Sequence, residues 1–144
     1  MKKINLTLII FILLMLTSCK VKSYSKEKYV DKIYHYHVLQ EKDNVCVDLR
    51  TLEEYGKGHI KGFVNYNYQN GSNEEFISYM TSMYDKNIYI FLIDEDGKNV
   101  VDASSILKKE GYKNIIIFEE GYDNLELYAS KNLEIVEGID DCNC

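Results

Sequence analysis

The 144-residue chain contains no proline and no tryptophan, and a single arginine, Arg50, stands among its 17 basic residues. The first two absences read as compositional drift, whereas the third makes Arg50 conspicuous. Positive charge is in short supply, with 23 acidic residues giving a formal net charge of −6. Without a basic excess, nucleic acid and anionic lipid surfaces are poor partners. Internal repeats and low-complexity segments are also missing. Only one long apolar run occurs, at the start of the chain, so no second stretch of spanning length follows it.

That run extends from Ile4 to Leu16 behind Lys2 and Lys3, interrupted only by Asn5 and Thr7. Its roughly 13 residues fall short of the ~20 needed to cross a bilayer as a helix. A charged start followed by a short apolar core is the pattern of an export signal. Leu16-Thr17-Ser18-Cys19 follows it and resembles the lipobox of bacterial lipoproteins: a branched apolar residue, two small ones, then the cysteine that is lipidated. The resemblance implies a signal peptide over 1–18 and a mature chain anchored to a membrane through Cys19, outside the cytoplasm. Two or more acyl chains hold a protein stably where one does not. An ordinary cleaved signal with an incidental cysteine, or an uncleaved anchor, are the alternatives. Lys20, rather than an aspartate, after the cysteine is compatible with an outer membrane if the cell has one.

Loss of Lys2 and Lys3 from the 17 basic residues leaves 15 against 23 acidic, a net of −8. Of the four cysteines, three would remain beside a lipidated Cys19, an odd number that excludes a fully paired disulfide framework. Residues 19–144 are one domain's worth of chain.

Along the mature chain, Lys20 to Tyr24 reads as a tether from the lipid to a domain over 25–137. Ser25 is placed to cap a helix running to about Leu39, with Tyr29, Val30, Ile33, Tyr34, His37 and Val38 recurring at helical spacing. His35 and His37 are two apart and diverge on a helix, which argues against a metal pair. Val45-Cys46-Val47 leading into Asp48 is a short buried strand with Cys46 in the core. Thr51-Leu52-Glu53-Glu54 has the form of a capping box opening a brief helix. Gly56, Gly58 and Gly62 punctuate a loop around His59-Ile60, before a strand at Phe63–Asn65. A helix over about Asn73 to Tyr84 carries Phe76, Ile77, Met80 and Met83 on its inner stripe. Ile88 to Ile93 is the strongest strand signal. The next helix, about Asn99 to Gly111, turns Val100, Ala103, Ile106 and Leu107 to one side and ends at a glycine. Asn114 to Phe118 is another strand, and Leu133 to Val136 a late edge strand. Alternation of this kind argues for an α/β domain with a parallel sheet covered on both faces.

Two segments then converge. Val47-Asp48-Leu49-Arg50-Thr51-Leu52-Glu53-Glu54-Tyr55 with Gly58-His59-Ile60-Lys61-Gly62-Phe63-Val64-Asn65, and Leu107 to Ile115 with Gly121, are similar in order and spacing to the signatures of rhodanese-like domains. The resemblance covers most of 25–137. It implies a five-stranded parallel sheet with helices on both faces and a ligand loop at the carboxyl ends of the strands. It also implies that Asp48, Arg50, Glu54 and His59 tie loops together, with His59 as a general acid or base the minor alternative. A planar, multi-donor guanidinium suits such bridging better than an ammonium would.

Active rhodaneses carry a cysteine nucleophile just after the fourth strand, in a loop of backbone N–H groups that lowers its pKa and steadies an anionic persulfide. Counting back without a gap from the Leu107–Tyr112 match places Asp94 at that position. The loop becomes Asp94-Glu95-Asp96-Gly97-Lys98-Asn99, and Lys98 is its only base. A carboxylate can occupy an anion cradle but cannot accept a sulfane sulfur. Sulfur transfer and the phosphatase chemistry of cell-cycle phosphatases on the same fold both lose their nucleophile. The resemblance implies an inactive member, since relatives with aspartate here are generally regarded as inactive and often serve as regulatory or binding modules.

Asp94-x-Asp96-Gly97 resembles the middle of a calcium-binding hand, but that register puts Leu92 at its first ligand and Ala103 at its last, which fails. No metal site and no cofactor is expected. The tail over 138–144 ends in Cys142-Asn143-Cys144, whose thiols are spectators, a strained disulfide or a soft-metal pair. A tail that carries sulfur, metal or electrons to the pocket above Asp94 is the sharper reading. The expectation is therefore a membrane-held, non-catalytic module for an unidentified protein or small-molecule partner. The rival is a sulfurtransferase or thiol redox protein using Cys142 and Cys144.

Overall fold

The computed structural model describes residues 19–139. The signal segment, Cys142 and Cys144 lie outside the described residues. Five strands form one parallel sheet: β1 (Lys20–Ser23), β2 (Asn44–Asp48), β4 (Val64–Asn65), β5 (Tyr89–Ile93) and β6 (Asn114–Ile117). Their spatial order is β1-β6-β5-β2-β4, every pairing parallel. A separate antiparallel ribbon pairs β3 (His59–Ile60) with β7 (Ile135–Val136). The helices are α1 (Lys26–Ile33), α2 (Leu52–Lys57), α3 (Asn73–Met83), α4 (Lys98–Lys109) and α5 (Tyr122–Ala129).

The pleat sorts the core into two layers, because alternate residues of a strand face opposite sides. In β5, Phe91 and Ile93 join Tyr29, Val30 and Ile33 of α1 and Leu125 and Ala129 of α5. Ile90 and Leu92 face the other way, against Phe76 and Met80 of α3 and Val100, Ala103 and Leu107 of α4. Burying each such aliphatic or aromatic side chain contributes roughly 1.5–3 kcal/mol. Tyr29 is fully buried, and its hydroxyl donates to the Leu92 carbonyl at 2.8 Å.

Several expectations need correction. Lys20–Ser23 is not a tether but the edge strand of the sheet, in register with Asn114–Ile117. Its backbone pairs with β6, and Tyr24 N–H continues the ladder to the Ile117 carbonyl at 3.3 Å. Cys19 therefore enters the sheet with no slack, its Sγ against the Tyr112 carbonyl, where burial pushes the thiol pKa up. The late strand does not extend the main sheet; it pairs antiparallel with His59–Ile60 instead. The first helix stops being α-helical at Ile33 and becomes a π-helical turn over Tyr34–Val38, closed by Leu39 N–H on the Tyr34 carbonyl at 2.9 Å. That change of pitch leaves Tyr34 and Val38 exposed, and the Ser25 side chain makes no capping bond. In α3, Phe76 and Met80 are buried but Met83, in the last turn, is 62% exposed. Helix α5 follows Gly121, where no helix was expected.

Candidate functional site

Parallel strands deliver their carboxyl ends to one edge of the sheet, and two of the longest end beside each other. Asp48 closes β2 and pairs in register with Ile93, so Asp94 is the next residue along the neighbouring strand. Both aspartates are fully buried. A buried carboxylate must be compensated, because an unpaired charge in the interior is very costly.

Asp48 is compensated by charge. Arg50 Nε donates to Oδ1 at 3.0 Å and Nη2 to Oδ2 at 2.7 Å, a two-pronged pair of the strong kind. The same Nη2 donates to the Gly58 carbonyl at 2.8 Å, and the Arg50 backbone N–H to Asp48 Oδ1 at 3.0 Å. The guanidinium lies 3.4 Å over the ring of Tyr122, joining α5 to the β2 loop. Arg50 thus links the loop after β2, the glycine turn before β3 and the start of α5.

The other motif residues occupy neighbouring positions with different partners. Glu54 Oε2 accepts from Thr51 N–H at 3.0 Å and from the Thr51 hydroxyl at 2.7 Å, while Glu54 N–H donates to Thr51 Oγ1 at 3.3 Å. This is the expected capping box, so Glu54 secures the start of its own helix rather than bridging to a distant loop. His59 is fully buried, its ring stacked 3.6 Å from Tyr55 and its Nδ1 3.0 Å from the Tyr55 carbonyl oxygen.

Asp94 is compensated by dipoles. Its Oδ1 accepts from Gly97 N–H and its Oδ2 from Asn99 N–H, each at 2.6 Å. The Asp94 carbonyl accepts from Tyr122 N–H at 2.8 Å. Burial holds the carboxyl above its ordinary pKa, with the Gly97, Asn99 and Val100 amides opposing. Gly97 has φ 85°, and a Cβ there would sit 1.8 Å from the Glu119 carbonyl oxygen. At Gly121, φ 83°, a Cβ would meet the Glu95 carbonyl oxygen at 2.1 Å. The two turns are packed backbone to backbone, which glycine alone permits.

The rest of the loop faces outward. Asp96 Oδ1 accepts from Lys98 N–H at 3.1 Å and Oδ2 pairs with the Lys98 ammonium, which is 84% exposed. The loop's single base is therefore engaged at the surface, away from the amides that surround the Asp94 carboxylate. No group of three metal-ligating side chains that could hold an ion is gathered among the described residues. A cavity of about 340 Å³ lies beside the loop, lined by Arg50, Glu54, Glu95 and Tyr122 among others. A larger one, about 530 Å³, lies between the π-helical turn and the β3–β7 ribbon, lined by His37, Ile60 and Leu133, and none of the expected site residues lines it. Tyr122 is the site residue that sequence reasoning missed; its signal was its place directly after Gly121.

The family model for the rhodanese-like domain matches residues 34–127. Among curated relatives, a tRNA uridine(34) hydroxylase of Prochlorococcus marinus is 30% identical over 120 residues, covering 76% of this chain and 37% of the relative. The chain thus spans little more than a third of that protein. The uncharacterized protein YibN of Escherichia coli K12 is 25% identical over 114 residues, with 79% of this chain and 76% of that protein covered. Among solved structures, the Alr3790 protein of Anabaena superposes with a TM-score of 0.60 at 17% identity, over 78% of this chain and 81% of that one. SSP1007 of Staphylococcus saprophyticus gives 0.58 at 20% identity, over 78% and 98%.

Proposed function

The chain belongs to the rhodanese-like domain family, and from that premise we propose that it is a non-catalytic binding module of the family, held to a membrane through a lipid on Cys19. One observation carries the first half: the ring of amides after β5 is already occupied by the chain's own carboxylate, with both Asp94 oxygens bonded at 2.6 Å. A sulfur anion entering that ring would have to displace a buried group covalently attached to it. Asp94 offers no lone pair of sulfur to accept a sulfane atom, and the ordered loop brings no base toward the ring to attract thiosulfate.

The lipobox-like Leu16-Thr17-Ser18-Cys19 motivates the anchor, and the topology gives it a consequence. Cys19 precedes β1 at the amino-terminal edge of the parallel sheet, whereas Asp94 leaves β5 at the carboxyl edge. An anchored chain would then present the Arg50–Asp94 face away from the bilayer, toward a protein or small-molecule partner. Mass spectrometry of the mature N-terminus tests the anchor: an acylated Cys19 supports it, and an intact Met1 or unmodified Cys19 contradicts it.

Thiocyanate formation from thiosulfate and cyanide, assayed on the full chain, tests the lack of catalysis. The expected outcome is no turnover above buffer. Asp94→Cys should restore at most feeble activity, since the loop also lacks inward-facing positive charge. Wild-type turnover that vanished on replacing Cys142 and Cys144 would instead support the thiol-based enzyme.

A further inference from the structure

Net charge is an average, and the sheet separates the charges that it averages. At the carboxyl edge, the residues that follow β5 and β6 are acidic: Glu95, Asp96, Glu119, Glu120 and Asp123. The basic side chains at that edge, Arg50, Lys57 and Lys98, are each paired with a carboxylate.

The amino-terminal edge beside Cys19 is the reverse. Lys20 N–H donates to the Lys113 carbonyl at 3.1 Å and Lys113 N–H to the Lys86 carbonyl at 3.0 Å, which sets three lysines on adjoining segments. Lys108 and Lys109 end α4 at the same place, because Tyr112 N–H returns to the Leu107 carbonyl at 3.1 Å and Cys19 Sγ rests against the Tyr112 carbonyl. All five lysines are exposed. Asp85 and Glu110 are the acids interspersed with them, yet none of the five makes an ion pair with a carboxylate among the described residues. The ammonium groups of Lys86 and Lys113 donate instead to neutral acceptors, the Glu110 backbone carbonyl and Asn87 Oδ1. Their positive charge is therefore left to whatever lies outside this edge.

A second feature of the edge is apolar. Met83 ends α3 with 62% of its surface exposed, and the carbonyl of the next residue, Tyr84, accepts from the Tyr112 hydroxyl at 3.3 Å. Since β1 begins at Lys20 with no tether before it, an acyl chain on Cys19 would leave the fold at this edge. The lysines would then stand within about 8–10 Å of the headgroups, the range over which exposed charges still act at physiological salt.

We propose that the amino-terminal edge of the sheet is a second membrane contact, in which Lys20, Lys86, Lys108, Lys109 and Lys113 bind anionic phospholipid headgroups and Met83 enters the interface. The inference rests on the Cys19 anchor and adds the lipid class that the anchored chain selects. The acidic carboxyl edge is repelled by the same headgroups, so both edges turn the Arg50–Asp94 face outward.

Amine labelling of the acylated full chain in vesicles, read lysine by lysine by mass spectrometry, tests it. One set of vesicles is phosphatidylcholine and the other an equal mixture of phosphatidylcholine and phosphatidylglycerol. Labelling of Lys86, Lys108, Lys109 and Lys113 should be about fivefold slower in the mixed vesicles, and the difference should vanish in about 1 M salt. Lys57 and Lys98, at the opposite edge, should label alike in both. Lys109→Gln combined with Lys113→Gln should reduce the protection of Lys86 and Lys108 to about twofold. Equal labelling in the two compositions, protection that survives high salt, or equal protection by inorganic phosphate added to phosphatidylcholine vesicles would overturn the proposal. An unmodified Cys19 in the same spectra would sink the anchor and this inference with it, whereas an acylated Cys19 without lipid-selective protection would sink the inference alone.

Discussion

Two buried aspartates end neighbouring strands of this sheet, and the chain stabilises them by different means. Asp48 has a guanidinium on it; Asp94 has backbone amides alone. The Asp48–Arg50 pair reaches across three segments, through the Gly58 carbonyl and the Tyr122 ring. The contacts of the Asp94 carboxylate are local, within five residues, and hold one loop against the first turn of α4. The comparison teaches that the first loop ties distant segments together, while the second is held by its own carboxylate bonded to its own amides.

The most destructive way to break the comparison is Arg50→Ala. It strands a fully buried Asp48 carboxylate, and the expected loss is about 3–5 kcal/mol in urea unfolding. Arg50→Lys should recover little, because an ammonium cannot reproduce the two-pronged contact and the Gly58 bond together. If Arg50→Ala cost no more than alteration of Asp94, the distinction between the two aspartates would fail.

Gly97→Ala comes next, at about 3 kcal/mol, since a left-handed residue would push its Cβ into the Glu119 carbonyl. Asp94→Ala should cost about 2 kcal/mol, the loss of one acceptor for two partly buried amides. Its effect should be confined to the loop, visible as faster hydrogen exchange at Gly97 and Asn99 with β2 unaffected.

The smallest effect is a pH dependence. Burial raises the folded-state pKa of Asp94, so the folded chain keeps a proton that the unfolded chain releases. Its stabilising contribution is complete below the unfolded value near ~3.9 and is lost as pH rises through the raised folded value. Asp94→Asn, which cannot ionise, should therefore gain stability relative to wild type as pH rises above the unfolded value. A gap that moved in the other direction would mean that the amides outweigh burial.

Much of the fold was legible because its strands and helices carry their own signals. The apolar run at 88–93, the Thr51 and Glu54 capping box and the stripe on α4 are local in sequence. What could not be read depends on distant partners. Lys20-Val21-Lys22-Ser23 has one apolar residue between two lysines and looks like a linker. It becomes a strand only because β6, more than 90 residues later in the chain, offers an open edge. The β3–β7 ribbon rests on the same kind of long-range pairing. Helix α5 carries Tyr122, Leu125 and Ala129 along one face, a stripe of three positions too short to stand out beside the turn at Gly121. The π-helical turn keeps the apolar spacing of an α-helix while changing its pitch, so periodicity could not expose it. At the site, counting back from a family signature reached Asp94, and the chemistry of a carboxylate implied the cradle around it. The stacking of Tyr122 on Arg50 joins residues 72 positions apart, and no motif announced it.

The most direct test of the closed cradle follows the Gly97 and Asn99 amide resonances of the full chain during a thiosulfate titration and a pH titration. Both amides should ignore thiosulfate and move together with ionisation of the Asp94 carboxyl. A saturable shift of these two amides by thiosulfate, with no response to the titration of Asp94, would show the cradle open to an outside anion and contradict the account.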